Sequence, residues 1–186
     1  MIDIEGLLIE NPIVAAIRND HDLEEVRTSS VKIVFVLYGS ISNVVHICRS
    51  LMDNNKIVFI HVDLIDGLKS DQKGIEFIKN AVNPFGIITT KQGNIKHAKN
   101  LGLYTIQRIF GIDSLSLETA IKSIHASMPS AVEVMPGVAS KVINSLEREV
   151  GLPIIAGGLI NTKKEVMEAL AAGAMAISTT EKKLWE

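Results

Sequence analysis

Short apolar runs alternate along the chain with segments in which apolar residues fall three and four apart. The runs are Ile13 to Ile17, Val31 to Leu37, Ile57 to Leu64, Gly86 to Ile88, Tyr104 to Ile109, Ala131 to Met135, Pro153 to Ala156 and Ala174 to Ile177. Near-continuous in Val, Ile and their like, they read as strands buried on both faces. The segments Asp20 to Val26, Ser42 to Met52, Gln72 to Val82, Asn94 to Leu101, Ser116 to Met128, Ala139 to Val150 and Thr162 to Ala172 carry helical periodicity instead, as Ile75, Ile78 and Val82 illustrate. A strand–helix–strand unit forces its two strands to be parallel. Eight such strands predict a compact α/β architecture, a (β/α)8 TIM-like barrel, although that fold usually takes about 200 residues or more. The saving comes at the end, where Glu181-Lys182-Lys183-Leu184-Trp185-Glu186 leaves room for only a vestigial last helix. An open doubly wound sheet is the alternative, but its Gly-rich first turn is missing: strand one runs into Arg18-Asn19-Asp20-His21.

Composition narrows the class. The 186 residues are 47% hydrophobic, enough for a substantial core, and no linker or low-complexity tract divides them, so a single domain spanning 1–186 is expected. The one cysteine, Cys48, sits in a helical pattern and reads as a small buried hydrophobe rather than a redox or metal group. Met1-Ile2-Asp3-Ile4-Glu5 is acidic and lacks the features of a signal peptide, and no apolar run approaches membrane-spanning length. A cytoplasmic protein with no membrane partner is the expectation. The net charge of −2 gives no general footprint for nucleic acid, although Lys69, Lys73, Lys79, Lys96 and Lys99 on the third and fourth helices offer a local patch for RNA phosphates.

In a barrel the polar residues that end strands belong to the face where βα loops cluster. Ala156-Gly157-Gly158, at the end of strand seven, and Ser178-Thr179-Thr180, at the end of strand eight, bring glycine backbone and three hydroxyls to one small volume, a place suited to phosphate. His61 and Asp63 stand two apart on one run and so point to one side. They fit either a polar-ligand contact or an acid–base pair; a packed core histidine accounts for His61 equally well. Lys91, in Thr89-Thr90-Lys91, and Arg108, embedded in Ile106-Gln107-Arg108-Ile109-Phe110, add cationic donors to the same mouth. A buried arginine needs a partner, and Glu133 on the next strand is the candidate. His21, His46, His97 and His125 lie in helical contexts and read as structural. No HExxH, Walker A, nucleophile elbow or Cys/His metal spacing occurs, and neither a catalytic residue nor a metal is assigned.

Taken together, His61 to Leu68, Gly86 to Lys91, Ile106 to Phe110, Glu133-Val134-Met135-Pro136-Gly137-Val138, Ile154 to Ile160 and Ser178-Thr179-Thr180 with Lys183-Leu184-Trp185 appear in an order that resembles the glycerol uptake operon antiterminator regulatory proteins. The Ala-Gly-Gly motif alone is weak; the six motifs in order are fairly specific and span nearly the whole chain. The resemblance implies a TIM-barrel-like regulator, not an enzyme, that needs no cofactor and takes glycerol 3-phosphate as effector. It would act on the leader of a glycerol-utilisation messenger RNA to prevent early termination. Phosphate would rest on Gly157, Gly158, Ser178 and Thr179, with Thr180 beside them, while Asp63, Arg108 and Glu133 would read the rest of the ligand. Gly111 departs from the pattern, where a bulkier aliphatic residue is expected, and implies a loosened loop after strand five.

Aromatic residues make up only 4% of the chain, so composition does not point to a stacking platform for bases. RNA contact would then rest on a ligand-ordered basic surface or on a homo-oligomer. The alternative is a phosphate-binding barrel enzyme, an isomerase or a phosphodiesterase, using His61, Asp63 and Glu133 on a small phosphorylated substrate.

Overall fold

A computed structural model describes residues 3–186. Eight parallel strands close into a barrel in sequence order, β1 (Ile13–Ile17), β2 (Ile33–Val36), β3 (Ile57–His61), β4 (Gly86–Thr89), β5 (Tyr104–Phe110), β6 (Ala131–Met135), β7 (Ile154–Gly157) and β8 (Ala176–Thr179), with β8 pairing back onto β1. The helices are α1 (Ile4–Glu10), ahead of β1, then α2 (Asp20–Thr28), α3 (Val44–Asp53), α4 (Gln72–Ala81), α5 (Gln92–Asn100), α6 (Ser114–Ser127), α7 (Ser140–Val150) and α8 (Lys163–Ala171) between successive strands. A 3₁₀ turn, Lys182–Leu184, follows β8 where an eighth crossover helix would stand. Helix α1 has no counterpart in the apolar pattern, because at seven residues with one buried side chain, Leu8, it is too short to show a period.

Side-chain parity builds the interior. Val14, Ala16, Ile33, Phe35, Phe59, Ile88, Ile106, Ala131, Ile155 and Ala176 form one buried cluster, which Leu8 of α1 joins. The alternate positions, such as Ala15, Ile17, Val34 and Val36, belong instead to the layer shared with the helices. Lower in the barrel, Phe35, Phe59 and Phe85 meet edge to face, and Phe85 stacks on Tyr104 with ring centres 4.4 Å apart. Gly86 makes room for this column: a Cβ there would lie 2.5 Å from the Phe59 ring.

The same period of two carries polar residues into the next layer up. His61, Arg108, Glu133 and Ser178 stand two positions beyond Phe59, Ile106, Ala131 and Ala176, and all four are buried. Gly157 stands likewise beyond Ile155. The helices beneath the loops are fastened by side-chain caps at Asn19, Asp71, Asp113 and Thr162. At the other end of the chain, Trp185 is buried and its indole N–H donates to the Thr179 carbonyl at 3.0 Å, while Lys182 pairs with Asp22 and Glu25. This tail ties β8 to α2 in place of a helix.

Candidate ligand site at the barrel mouth

A cavity of about 390 Å³ opens at the C-terminal ends of the strands, lined by Arg18, Arg108, Glu133, Gly158, Asn161, Ser178, Thr179 and Thr180 among others. Its floor is a chain of charge-assisted hydrogen bonds across β5, β6 and β8. Arg108 Nε donates to Glu133 Oε2 at 2.6 Å, and Ser178 Oγ donates to Oε1 of the same carboxylate at 2.6 Å. Arg108 and Glu133 are register partners on neighbouring strands, which is why their side chains meet. The pair is deeply buried, so each charge depends on the other for compensation. Both Glu133 oxygens retain acceptor capacity, and the terminal amino groups of Arg108 have no partner among the described residues.

Gly157 is part of this construction without lining the cavity. A Cβ at 157 would lie 2.5 Å from Ser178 Oγ and 2.7 Å from Glu133 Oε1, so only glycine lets the serine reach the carboxylate. The chain then turns through Gly158 and Leu159, both at positive φ, and the Gly158 N–H is left without a partner among the described residues. Thr179 is already committed: its hydroxyl donates to the Ile160 carbonyl at 2.8 Å and accepts from the Glu181 N–H at 3.0 Å. The N-terminus of α8 is likewise filled from within, since Glu165 accepts from the N–H groups of Asn161 and Thr162.

The residues singled out from the sequence therefore divide. Gly158, Ser178, Thr179, Thr180, Arg108 and Glu133 come together at the cavity; His61, Asp63 and Lys91 do not line it. The shared orientation read for His61 and Asp63 needs correction, because β3 ends at His61 and Asp63 lies in a 3₁₀ turn, Val62–Leu64. Asp63 is enclosed by donors: the Ser70 and Thr89 hydroxyls, the Thr90 N–H at 2.7 Å and the Thr90 hydroxyl at 3.1 Å. Burial works against its charge, but the bonds from Ser70, Thr90 and Thr89 outweigh it and hold the carboxyl below its usual value. Lys91 extends this knot, donating to the Ser70 carbonyl at 2.9 Å. Asp63 and Lys91 thus fasten the β3–α4 loop to the β4–α5 loop. His61 is 2% exposed with no hydrogen-bond partner for Nδ1; burial, followed by the Arg108 charge, lowers its pKa to about 4 and keeps it neutral.

Arg18 is the charged cavity residue absent from the predicted ligand set. It follows β1 directly, and its position just past an apolar run was the available signal. Among the described residues no group of three His, Cys, Asp or Glu side chains is placed to hold a metal ion, and no helix is long and apolar enough to cross a membrane.

Residues 13–185 match the family described as glycerol-3-phosphate responsive antiterminator. The chain belongs to this family. An antiterminator-family barrel is also what solved structures show: the glycerol uptake operon antiterminator regulatory protein of Listeria monocytogenes superposes with a TM-score of 0.90 at 31% identity, covering 93% of this chain and 94% of that one. A glycerol uptake operon antiterminator-related protein of Thermotoga maritima gives 0.84 at 35% identity, covering 94% and 98%. The uncharacterized protein YgcP of Escherichia coli K12 is 34% identical over 179 residues, 96% of this chain and 94% of its own length. As in the family pattern read from the sequence, the six motifs fall on strand ends. The Gly111 departure does not loosen its loop: the Gly111 N–H donates to the Met135 carbonyl at 3.0 Å, and a Cβ there would lie 2.5 Å from Val142 of α7.

Proposed function

We propose that this antiterminator-family protein binds glycerol 3-phosphate in the barrel-mouth cavity and, in that state, binds the leader of a glycerol-utilisation messenger RNA to prevent early termination. The observation that carries the ligand assignment is the cavity's charge pattern. Two arginines, Arg18 and Arg108, keep amino groups without partners among the described residues beside a buried carboxylate, Glu133, in a volume suited to a small ligand. Glycerol 3-phosphate joins a dianion to two hydroxyls. Arg18, the Thr180 hydroxyl and the Gly158 N–H suit the phosphate, because an anion is held by guanidinium and backbone donors together. Glu133 suits the hydroxyls, which donate, and Arg108 spans both ends. Ser178 and Thr179 shape the wall from bonds they already make.

The enzyme reading drew on His61, Asp63 and Glu133. The first two lie outside the cavity lining, and the third is held by Arg108 and Ser178, so no acid and base stand together over the cavity. The RNA role rests on family membership. Calorimetric titration with glycerol 3-phosphate, followed by binding of a labelled leader transcript with and without it, tests both halves. Ligand-dependent transcript binding is expected; its absence across a range of salt concentrations removes the regulatory reading.

A further inference from the structure

A second cavity, of about 450 Å³, opens beside the first between the β4–α5 loop and α6. Arg108 lines both. The rim of the second is Phe110, 48% exposed, with Leu115, 74% exposed, facing Thr90 and the α6 side chains Ala120 and Ser123. Three phenylalanines pack edge to face in the barrel, whereas Phe77 on α4 and Phe110 are exposed. Phe77 lies within the most basic part of the chain, and Phe110 ends the strand that follows it. From Lys69 to Leu103 six lysines oppose two carboxylates, Asp71 and Glu76, a balance of +4 in a protein whose total is −2. Helix α5, carrying exposed Lys96 and Lys99, packs against α4 on one side and α6 on the other.

We infer that an unpaired nucleotide of single-stranded RNA enters this second cavity with its base against Phe110, while the adjoining phosphates run over Lys91 and Lys96. The occupant follows from charge and from the state of the polar walls. A cationic flank beside an exposed aromatic ring suits a strand that is anionic along its backbone and flat at its bases. Apart from Arg108, the polar side chains of the cavity are engaged internally: Gln107 with Ser123 and Ser127, Thr119 with the Leu115 carbonyl, Ser116 with Asp113. A base held by its face and not by its edges is bound with little regard to its identity. The scarcity of aromatic residues is thus offset by where Phe110 is placed. The inference rests on the RNA reading and deepens it, since the guanidinium of Arg108 borders the effector and the nucleotide alike. An effector that orders Arg108 favours the second occupant to the extent that it prefers that arrangement.

The test uses the full chain saturated with glycerol 3-phosphate and a fluorescent leader transcript read by anisotropy, with Phe110→Ala, Ala120→Phe to fill the cavity, and Lys96→Ala. Phe110→Ala is expected to weaken transcript binding about tenfold, and Ala120→Phe at least as much. Lys96→Ala is expected to make the log–log salt slope shallower by about 0.7. Calorimetric titration of glycerol 3-phosphate, unchanged in all three, shows that each variant is folded. Wild-type affinity in both cavity variants overturns this inference alone, and is also the result expected if the cavity takes an apolar protein segment. A wild-type chain that binds no transcript at any salt overturns the inference together with the regulatory reading.

Discussion

At the scale of single residues, one glycine decides the geometry of the site and one buried histidine the acid stability of the barrel. Gly157 leaves the gap through which Ser178 reaches Glu133, and its replacement by alanine puts a methyl group 2.5 Å from that hydroxyl. Gly157→Ala is expected to break the Arg108–Glu133–Ser178 chain, to lower glycerol 3-phosphate affinity at least tenfold by calorimetry, and to cost about 1–3 kcal/mol of stability, as overpacking a filled interior does. His61 supplies a second expectation. Its folded pKa, about 4, lies below the value near 6.5 of an unfolded histidine, so the unfolded chain takes up a proton first as pH falls. The neutral histidine therefore permits full stability above about pH 6.5, and stability drains away between that pH and about 4. The loss approaches roughly 3 kcal/mol at the lower end. Urea unfolding as a function of pH should show this slope in the wild type and a flatter one in His61→Phe; equal slopes would assign the acid loss elsewhere. Asp63, whose carboxyl is held low, contributes its own loss only at still lower pH.

At the scale of elements, loop packing explains both what the sequence discloses and what it conceals. Strands and crossover helices were legible because burial on two faces writes continuous apolar runs, and helices write a period of 3.6. Arg108 with Glu133 was legible too, since adjacent strands in register bring one buried charge to the other. The roles of Asp63 and Lys91 were not. Both follow a strand as ligand residues do, and only the fold of the β3–α4 loop, which brings Ser70 back over Asp63 and Lys91, turns them into a fastening. Gly111 was misread for a similar reason: its neighbour Val142 lies thirty-one positions later on α7, beyond the reach of any local pattern. Gly111→Ala is accordingly expected to destabilise the protein by about 1–3 kcal/mol. In Val142→Ala, which removes the opposing methyl groups, the same substitution should cost much less, a coupling that a double-mutant cycle by chemical denaturation measures directly. Additive costs would mean that α7 does not press on the loop. The Thr162–Glu165 capping box at α8, visible in the sequence as Thr-Lys-Lys-Glu, gives a control of independent origin: Thr162→Ala should cost about 1 kcal/mol.

At the scale of the molecule, the two cavities open side by side at the barrel mouth and share Arg108. The opposite end is filled by Leu8 of α1 and the column of aromatic rings. Coupling is expected to be short in range, carried by the β5–α6 loop and the guanidinium it borders. Thermodynamics then fixes a relation that holds whatever the atomic path. If glycerol 3-phosphate raises affinity for the leader transcript by some factor, the transcript must raise affinity for glycerol 3-phosphate by the same factor. A coupling of about 5- to 150-fold is the range seen when one site biases another. Titrating ligand into the free protein and into its transcript complex, in one buffer, should return the factor found by titrating transcript with and without ligand. Replacing Arg108 by alanine should reduce both factors together and toward one, beyond its direct cost to ligand affinity. A variant that weakens ligand binding but leaves the coupling factor intact would show that the effector reaches the RNA surface through some element other than the residue the two cavities share.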